Sequence, residues 1–540
     1  MIKRLCLTLL ALPLFLSGQY HFSPINQLRT LGMESQWYGV LDSDSTELAL
    51  TNHSSIRPLR SAYRIGAKSE EHYGGLKNWF NRKAFQEHLV QVDREDYALT
   101  LDPIVNLQLG AEQGEERYRF INTRGFHIEG RIGSQFSFYS TFQENQGRFA
   151  DYLQNYSAIR RVIPGQSSST RSFGDQNDAL DYTLVSAEIT YNPNRFFTFT
   201  AGQGRNFLGE GYRSVLLSDA SFSYPFFRIQ TSFWRFKYMN LWGQMNDLRR
   251  DAQVYSGVFA KKFFSAHYLS ANITERWNIS FFEAIMYGDT NQLQGLDVSF
   301  LNPVIFYRPV EFATGSRNGN ALLGAASSYR FKKGLLAYTQ FVLDEFNFAA
   351  IQAQEGSWLN KYAFQLGLKY HNAWGIEGLF QRLEYNMARP HTFQHREVLT
   401  NYAHYGSPLA HPWGANFHEL IWQNIYQSGR WEGELQVNYG RIGNDVNGSN
   451  WGTDVYQSYE TREQDLNNYT GQGDAANYYF AFLRGAYLVN PSSGLKLELG
   501  FRFRQYLPEG GNGSGPMLKQ RSGMLIFGLR TEMFNRYYDL

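Results

Sequence analysis

The segment GLKLELGFRFRQY, residues 494–506, decides how this chain folds. Leu495, Leu497, Leu499, Phe501 and Phe503 alternate with Lys496, Glu498, Gly500, Arg502 and Arg504. Successive side chains of a strand point to opposite faces, so this order puts every large apolar group on one face and the charges on the other. The run exceeds the five or six residues usual in soluble sheets. It matches the roughly 9–11 residues that a tilted strand needs to cross a bilayer. The pattern recurs. Phe227, Ile229, Thr231 and Phe233 alternate with Arg228, Gln230 and Ser232; Phe364, Leu366, Leu368 and Tyr370 with Gln365, Gly367 and Lys369; Leu435, Val437 and Tyr439 with Glu434, Gln436 and Asn438. Such strands make a wall between lipid and a polar interior.

Composition points the same way. Aromatics are 16% of the 540 residues, with 36 Tyr, 42 Phe and 11 Trp, yet mean hydropathy is −0.44. Past the first residues no run approaches the roughly 20 apolar residues of a membrane helix. A transmembrane β-barrel combines these features, because only alternate residues meet lipid and aromatic girdles mark both interfaces. The competing class is a large soluble β-sandwich or propeller. A net charge of +2 indicates neither a nucleic-acid nor an acidic partner.

The chain opens MIKRLCLTLLALPLFLSGQ. Lys3 and Arg4, the apolar run to Leu16 and the small pair Ser17-Gly18 predict a secretory signal peptide over residues 1–18. Cys6, the only cysteine, lies inside it. The mature chain then has no disulfide, thiolate metal site or thiol nucleophile, as suits a bacterial envelope protein. Residues 19–96 lack strong alternation. LKNWFNRKAFQEHL (76–89) places Leu76, Trp79 and Phe80 on one helical face, so this part is expected to be a periplasmic segment with a helix. Residues 97–540 are expected to form the barrel.

The connections support that division. Tight turns at Asn192-Pro193-Asn194, His371-Asn372, Ser428-Gly429 and 490–493 alternate with the long polar segments 145–180, 204–223, 387–414 and 441–475. Barrels of the outer membrane have short periplasmic turns and long external loops, so the long segments are expected outside the cell. About twenty candidate strands can be counted, with 237–300 ambiguous. Bacterial barrels are even-numbered, so the expected fold is an all-β, antiparallel transmembrane barrel of about 18 strands, with 16 and 20 as alternatives. The last strand is expected over about 520–534, with Leu525, Phe527, Leu529, Thr531 and Met533 facing outward.

The glycine-rich stretch AGQGRNFLGEGYRSVLLSD, residues 201–219, is not a nucleotide loop. Gly204 and Gly209 have mononucleotide-loop spacing, but Glu210-Gly211 follow where Lys-Ser/Thr is required. The dinucleotide fingerprint fails at Phe207. Placed at the external rim, GRNFLGEGYRSVLLSDASFSYPFFRI (204–229) resembles the signature of the capsule-assembly Wzi family through Arg205, Gly209, Gly211, Ser214, Leu217, Ser218 and Pro225. Phe207-Leu208 replaces that signature's aromatic pair, and Glu210 its proline. The block 388–420 runs Leu-Thr-Asn-Tyr, Pro-Leu-Ala-His-Pro and Gly-Ala-Asn-Phe between Leu399 and Phe417. It resembles a branch of that group from gliding bacteria, that of the gliding-motility protein RemB, as does the closing RTEMFNRYYDL. The resemblance implies an eighteen-stranded outer-membrane barrel with periplasmic N-terminal helices. It also implies a part in holding or assembling surface polysaccharide, or in gliding machinery.

Five of the twelve histidines, His391, His395, His404, His411 and His418, fall within 28 residues. Pro390, Pro408 and Pro412 oppose the helix that would align them on a metal, and His418-Glu419 fails the zinc-protease motif because Trp422 stands where its second His belongs. Acidic DSDST (42–46) lacks the Gly and Glu of a calcium loop. No Ser–His spacing singles out a hydrolase. The expectation is therefore a non-enzymatic protein with no metal and no cofactor. Carbohydrate suits the external segments better, because sugars offer apolar ring faces and hydroxyls that must be paired. The candidate contacts are Arg205, Glu210, Tyr212, Arg213, Asp219, Tyr402, Tyr405, His411, Trp413 and Asn416. The alternative role for the same residues is ordering of the loops, and the alternative function is a porin or specific channel whose lumen Lys496, Arg502 and Arg504 would line.

Overall fold

The computed structural model describes residues 22–39, 55–59, 78–169, 171–253, 258–288, 295–304, 319–509 and 520–540. The signal-peptide expectation and the DSDST stretch lie outside the described residues. Eighteen antiparallel strands close into one barrel. They are β1 (Tyr97–Glu112), β2 (Arg119–Ile132), β3 (Phe136–Arg148), β4 (Ala179–Tyr191), β5 (Phe197–Gly204) and β6 (Tyr224–Phe233). Next come β7 (Phe236–Asp247), β8 (Ala260–Asn272), β9 (Trp277–Tyr287), β10 (Asn320–Lys332), β11 (Leu335–Glu345) and β12 (Lys361–His371). The circuit ends with β13 (Leu379–Ala388), β14 (Phe417–Ser428), β15 (Trp431–Ile442), β16 (Ala476–Asn490), β17 (Leu495–Pro508) and β18 (Gln520–Thr531). Closure is the pairing of β18 with β1, from Met524↔Glu112 to Arg530↔Asn106. Beyond that point Val90–Asp93 pairs with the start of β1, covering an edge that would otherwise expose unpaired backbone.

Alternation is realised as read. Leu499 and Phe501 on β17 are 56% and 47% exposed, while Lys496, Glu498, Arg502 and Arg504 turn inward and are buried. Trp234, Trp277, Trp374 and Trp431 stand exposed at the short-turn end, an aromatic girdle of the kind that marks a membrane interface. Short and long connections alternate around the whole circuit. Among the described residues no helix is long and apolar enough to cross a membrane; the strands do so.

The ambiguous stretch 237–300 contributes β7, β8 and β9. Their alternation is weak because the inner face is largely apolar while the outer face carries Asn240, His267 and Glu283, buried there, the first two against the carbonyls of Pro303 and Asn302. Met239, Leu241, Ala266, Tyr268, Phe282 and Ala284 point into an apolar cluster inside the barrel, so no charged inner face contrasts with the lipid face. The final strand is shorter than expected. It ends at Thr531, and residues 532–540 turn into the lumen, where Tyr537 Oη donates to Asp219 Oδ1 at 2.7 Å and Asn535 Nδ2 to Asp219 Oδ2 at 2.9 Å. Met533 therefore does not belong to the lipid-facing row: once Glu532, Asn535, Arg536 and Asp539 enter the sequence, the polar groups find partners only inside.

Of the N-terminal residues, α1 (Gln27–Gly39) sits in the short-turn mouth, with Leu31 packed on Phe380 and Ile425. Helix α2 (Trp79–Phe85) lies under the short turns, with Asn490 Nδ2 donating to Lys83 O at 2.9 Å and Ser492 Oγ to Gln86 O at 2.7 Å. A third helix, α3 (Asp151–Arg160), lies in the long connection after β3.

Candidate functional site

The glycine-rich loop between β5 and β6 folds into the barrel rather than out of it. Leu208, Val215, Leu216 and Leu217 are fully buried among inward side chains of the wall. Backbone groups taken from water in this way need partners, and the wall supplies them. Gln340 accepts from Val215 N–H at 3.0 Å and donates to Leu208 O at 2.8 Å. Glu384 accepts from the N–H groups of Tyr212 (2.7 Å) and Arg213 (3.0 Å). Gly209 has φ of +145°, a conformation other residues adopt only under strain. Gly211 is needed for space, since a Cβ there would lie 2.5 Å from Glu384 Oε2. The segment 389–416 packs directly on this loop: Tyr402 Oη donates to Leu216 O at 2.7 Å, and Ser218 N–H to Leu409 O at 2.7 Å.

Most of the ten residues singled out in the sequence are occupied with such ties. Arg205 donates to the carbonyls of Gly165 and Asp219, and Asp219 accepts from the tail. Glu210 pairs with Lys369 and, at 3.0 Å, with Arg57, which in turn meets Glu34 of α1 at 2.6 Å. Arg213 grips Glu419 (3.1 Å) and Asp539 (2.9 Å); these carboxylates hold its guanidinium pKa well above the usual value, against the desolvation of burial. His411 joins the same cluster through Glu419 at 2.7 Å. Tyr212 stacks edge-on against Tyr537, and Tyr405 Oη meets Ser168 Oγ at 3.2 Å. Asn416 is the knot of the outer loops: its amide donates to Thr453 Oγ1 and Gln472 O and accepts from the N–H groups of Gly471 and Gln472.

Trp413 is different. It lines a cavity of about 190 Å³ at the long-loop end, between α3, the segments 408–414 and 442–457, and the outer part of β17. Tyr152, Tyr156, Tyr456 and Tyr506 supply further aromatic surface there. Arg160 crosses it, paired with Asp454 at 2.8 Å and lying over the Tyr456 ring at 5.7 Å. Arg504 lies over Tyr152 at 4.4 Å and donates through Nε to Leu540 O at 2.9 Å. Three polar groups of the lining, Trp413 Nε1, Tyr456 Oη and Arg504 Nη1, are buried without a hydrogen-bond partner. Unmade bonds of this kind are uncommon in native structures. Asp445 also borders the cavity; its carboxylate accepts from the N–H groups of Trp451 (2.6 Å), Thr453 (3.2 Å) and Asp454 (2.7 Å), and burial pushes its pKa up to about 6. The donors, acids and ring faces together suit a hydroxyl-rich ligand with apolar faces. Tyr152, Tyr156, Arg160 and Tyr456 were missed in the sequence, and Arg504 was read there only as lining a channel lumen. The first four lie in segments assigned to the outside by parity alone, where their aromatic and basic content was the available signal. Among the described residues no group of three or more His, Cys, Asp or Glu side chains could hold a metal ion.

This fold defines a class: a transmembrane β-barrel of the outer membrane. No protein-family model and no curated protein sequence matches the chain. Among solved structures it is similar to Wzi of Escherichia coli, an outer membrane protein involved in group 1 capsule assembly and a carbohydrate-binding β-barrel. The match has 12% identity and a TM-score of 0.51, and covers 80% of this chain and 85% of that one. It is also similar to OprD from Pseudomonas aeruginosa (12% identity, TM-score 0.41, covering 84% and 98% of the two chains). A third is OccAB4 of Acinetobacter baumannii (8% identity, TM-score 0.42, 81% and 98% covered). At these identities the likeness is one of fold.

Proposed function

We propose that this protein is a non-enzymatic outer-membrane barrel that binds surface polysaccharide at its external face and takes part in capsule attachment or assembly. The observation that carries the reading is the outer cavity, where Trp413 and four tyrosines offer ring faces and three buried donors lack partners. The apolar cluster inside the barrel supports it as well, since a diffusion pore needs a wet lumen and this one packs Leu216, Phe264 and Phe282 at its centre. The carbohydrate binding of the similar Wzi barrel agrees. A role in gliding motility, with partners in that machinery, rests on the order of residues 399–417 and on the closing residues 530–540. Charged side chains facing the short-turn half of the lumen, among them Lys496, Arg502 and Arg530, favour the second reading, a specific channel. Deleting the gene tests the proposal: cells that shed their surface polysaccharide and glide poorly support it, and unchanged retention and motility count against it. A steady open step from purified protein in planar bilayers would favour the channel.

A further inference from the structure

We infer that the short-turn half of the lumen holds an anion site built on Arg502 and Arg536, fit for a carboxylate or phosphate group. A cavity of about 90 Å³ lies between α1, the wall strands β15–β18 and the inward tail. Each carboxylate on its wall is paired with a cation, with Asp539 Oδ1 left without a hydrogen bond. Glu434 pairs with Arg484 at 2.9 Å, Glu532 with Lys496 at 3.1 Å, Arg484 at 3.3 Å and Arg530 at 3.4 Å, and Asp539 with Arg213 at 2.9 Å.

Arg502 has no such partner. It is 8% exposed, and its guanidinium lies over the rings of Tyr538 at 4.8 Å and Phe482 at 5.7 Å. Its Nε is buried without a hydrogen bond. Arg536 gives one bond, from Nη2 to Gln143 Oε1 at 3.2 Å, while its Nη1 is buried and unpartnered. Arginine stays charged at every physiological pH, and a desolvated charge with no counter-ion is strongly unfavourable. Two guanidinium groups lining one cavity, one of them fixed between aromatic rings, present planar forks that match a carboxylate or phosphate. Gln27 and Leu28 of α1 also line the cavity, so a ligand reaches it from the periplasmic side. The site is separate from the outer cavity and does not depend on polysaccharide binding there.

Isothermal titration of the full chain in detergent, at low salt, tests it with three probes: inorganic phosphate, glucuronate and glucose. Saturable binding of at least one anion and none of glucose is expected. Glucuronate alone assigns a sugar carboxylate; phosphate alone assigns a phosphoryl group. Arg502→Gln and Arg536→Gln should each weaken the binding at least tenfold, while Arg171→Gln, a surface change at the opposite end, leaves it as in the wild type. Folding is checked by heat-modifiable migration in gels, and Arg536→Gln, outside the strands, carries the test if Arg502→Gln does not fold. Absence of saturable binding by both anions, or wild-type binding in both variants, overturns the inference.

Discussion

Arg213→Ala is the sharpest perturbation of the closed lumen. Arg213 is 1% exposed and links three separate segments: its own loop, Glu419 on β14 and Asp539 of the tail. Its guanidinium makes bonds of 3.3 and 3.1 Å to the two oxygens of Glu419, and of 2.9 and 3.1 Å to Asp539 Oδ2 and O. Removing it leaves two buried carboxylates short of their common cation, although His411, Asn438 and Gln436 still reach them. Loss of one partner from a buried ion pair costs about 3–5 kcal/mol. Each 1.4 kcal/mol is a factor of about ten in an equilibrium, so the population with the loop undocked rises roughly a hundredfold to a few thousandfold. Planar-bilayer recording reads this directly: the wild type is expected to be silent and the variant to show brief openings. Arg213→Lys, which keeps the charge but loses the fork, should fall between them. A variant as silent as the wild type would refute the idea that this cluster latches the lumen.

Phe527→Arg on β18 places a charge on a lipid-facing position that is 53% exposed, and should cost about 2–4 kcal/mol if it lies near the bilayer midplane; urea titration of folding into vesicles measures it. The outer loops should loosen in acid. Burial lowers the pKa of His391 and His395 from 6.5 to about 4 and that of His404 to about 3. The unfolded loops therefore bind more protons between about pH 4 and 6.5, and stability falls as pH drops through that window. Asp445, raised from 3.8 to about 6, acts in the opposite sense but is one group against three. Hydrogen exchange over residues 391–404, corrected for intrinsic rates, should be faster at pH 5 than at pH 7.

The lipid side of this molecule was legible in the sequence, and the inner side only in part. Leu495 to Phe503 announce a strand because lipid and lumen impose opposite demands on neighbouring residues. Where the lumen is itself apolar, as behind Met239 and Tyr268, that contrast vanishes and β7 to β9 could not be delimited. The turns at Asn192 and His371 were legible because local backbone chemistry sets them. The inward course of residues 205–223 was not, since its partners Gln340, Glu384 and Glu419 lie more than a hundred residues away and nothing local encodes them. Arg205, Arg213 and Asp219 allowed two readings in the sequence, ligand contact or loop ordering, and the structure commits them to one another's loops. Trp413 was found because the block around it carries a resemblance; Tyr152 and Tyr456 carry none.

The most direct measurement is binding of the native surface polysaccharide to purified protein, wild type beside Trp413→Ala and Tyr456→Phe. Saturable binding by the wild type, weakened at least tenfold in Trp413→Ala and less in Tyr456→Phe, is the expected result. Equal binding by all three proteins, or none by the wild type, would contradict a glycan site at the outer mouth.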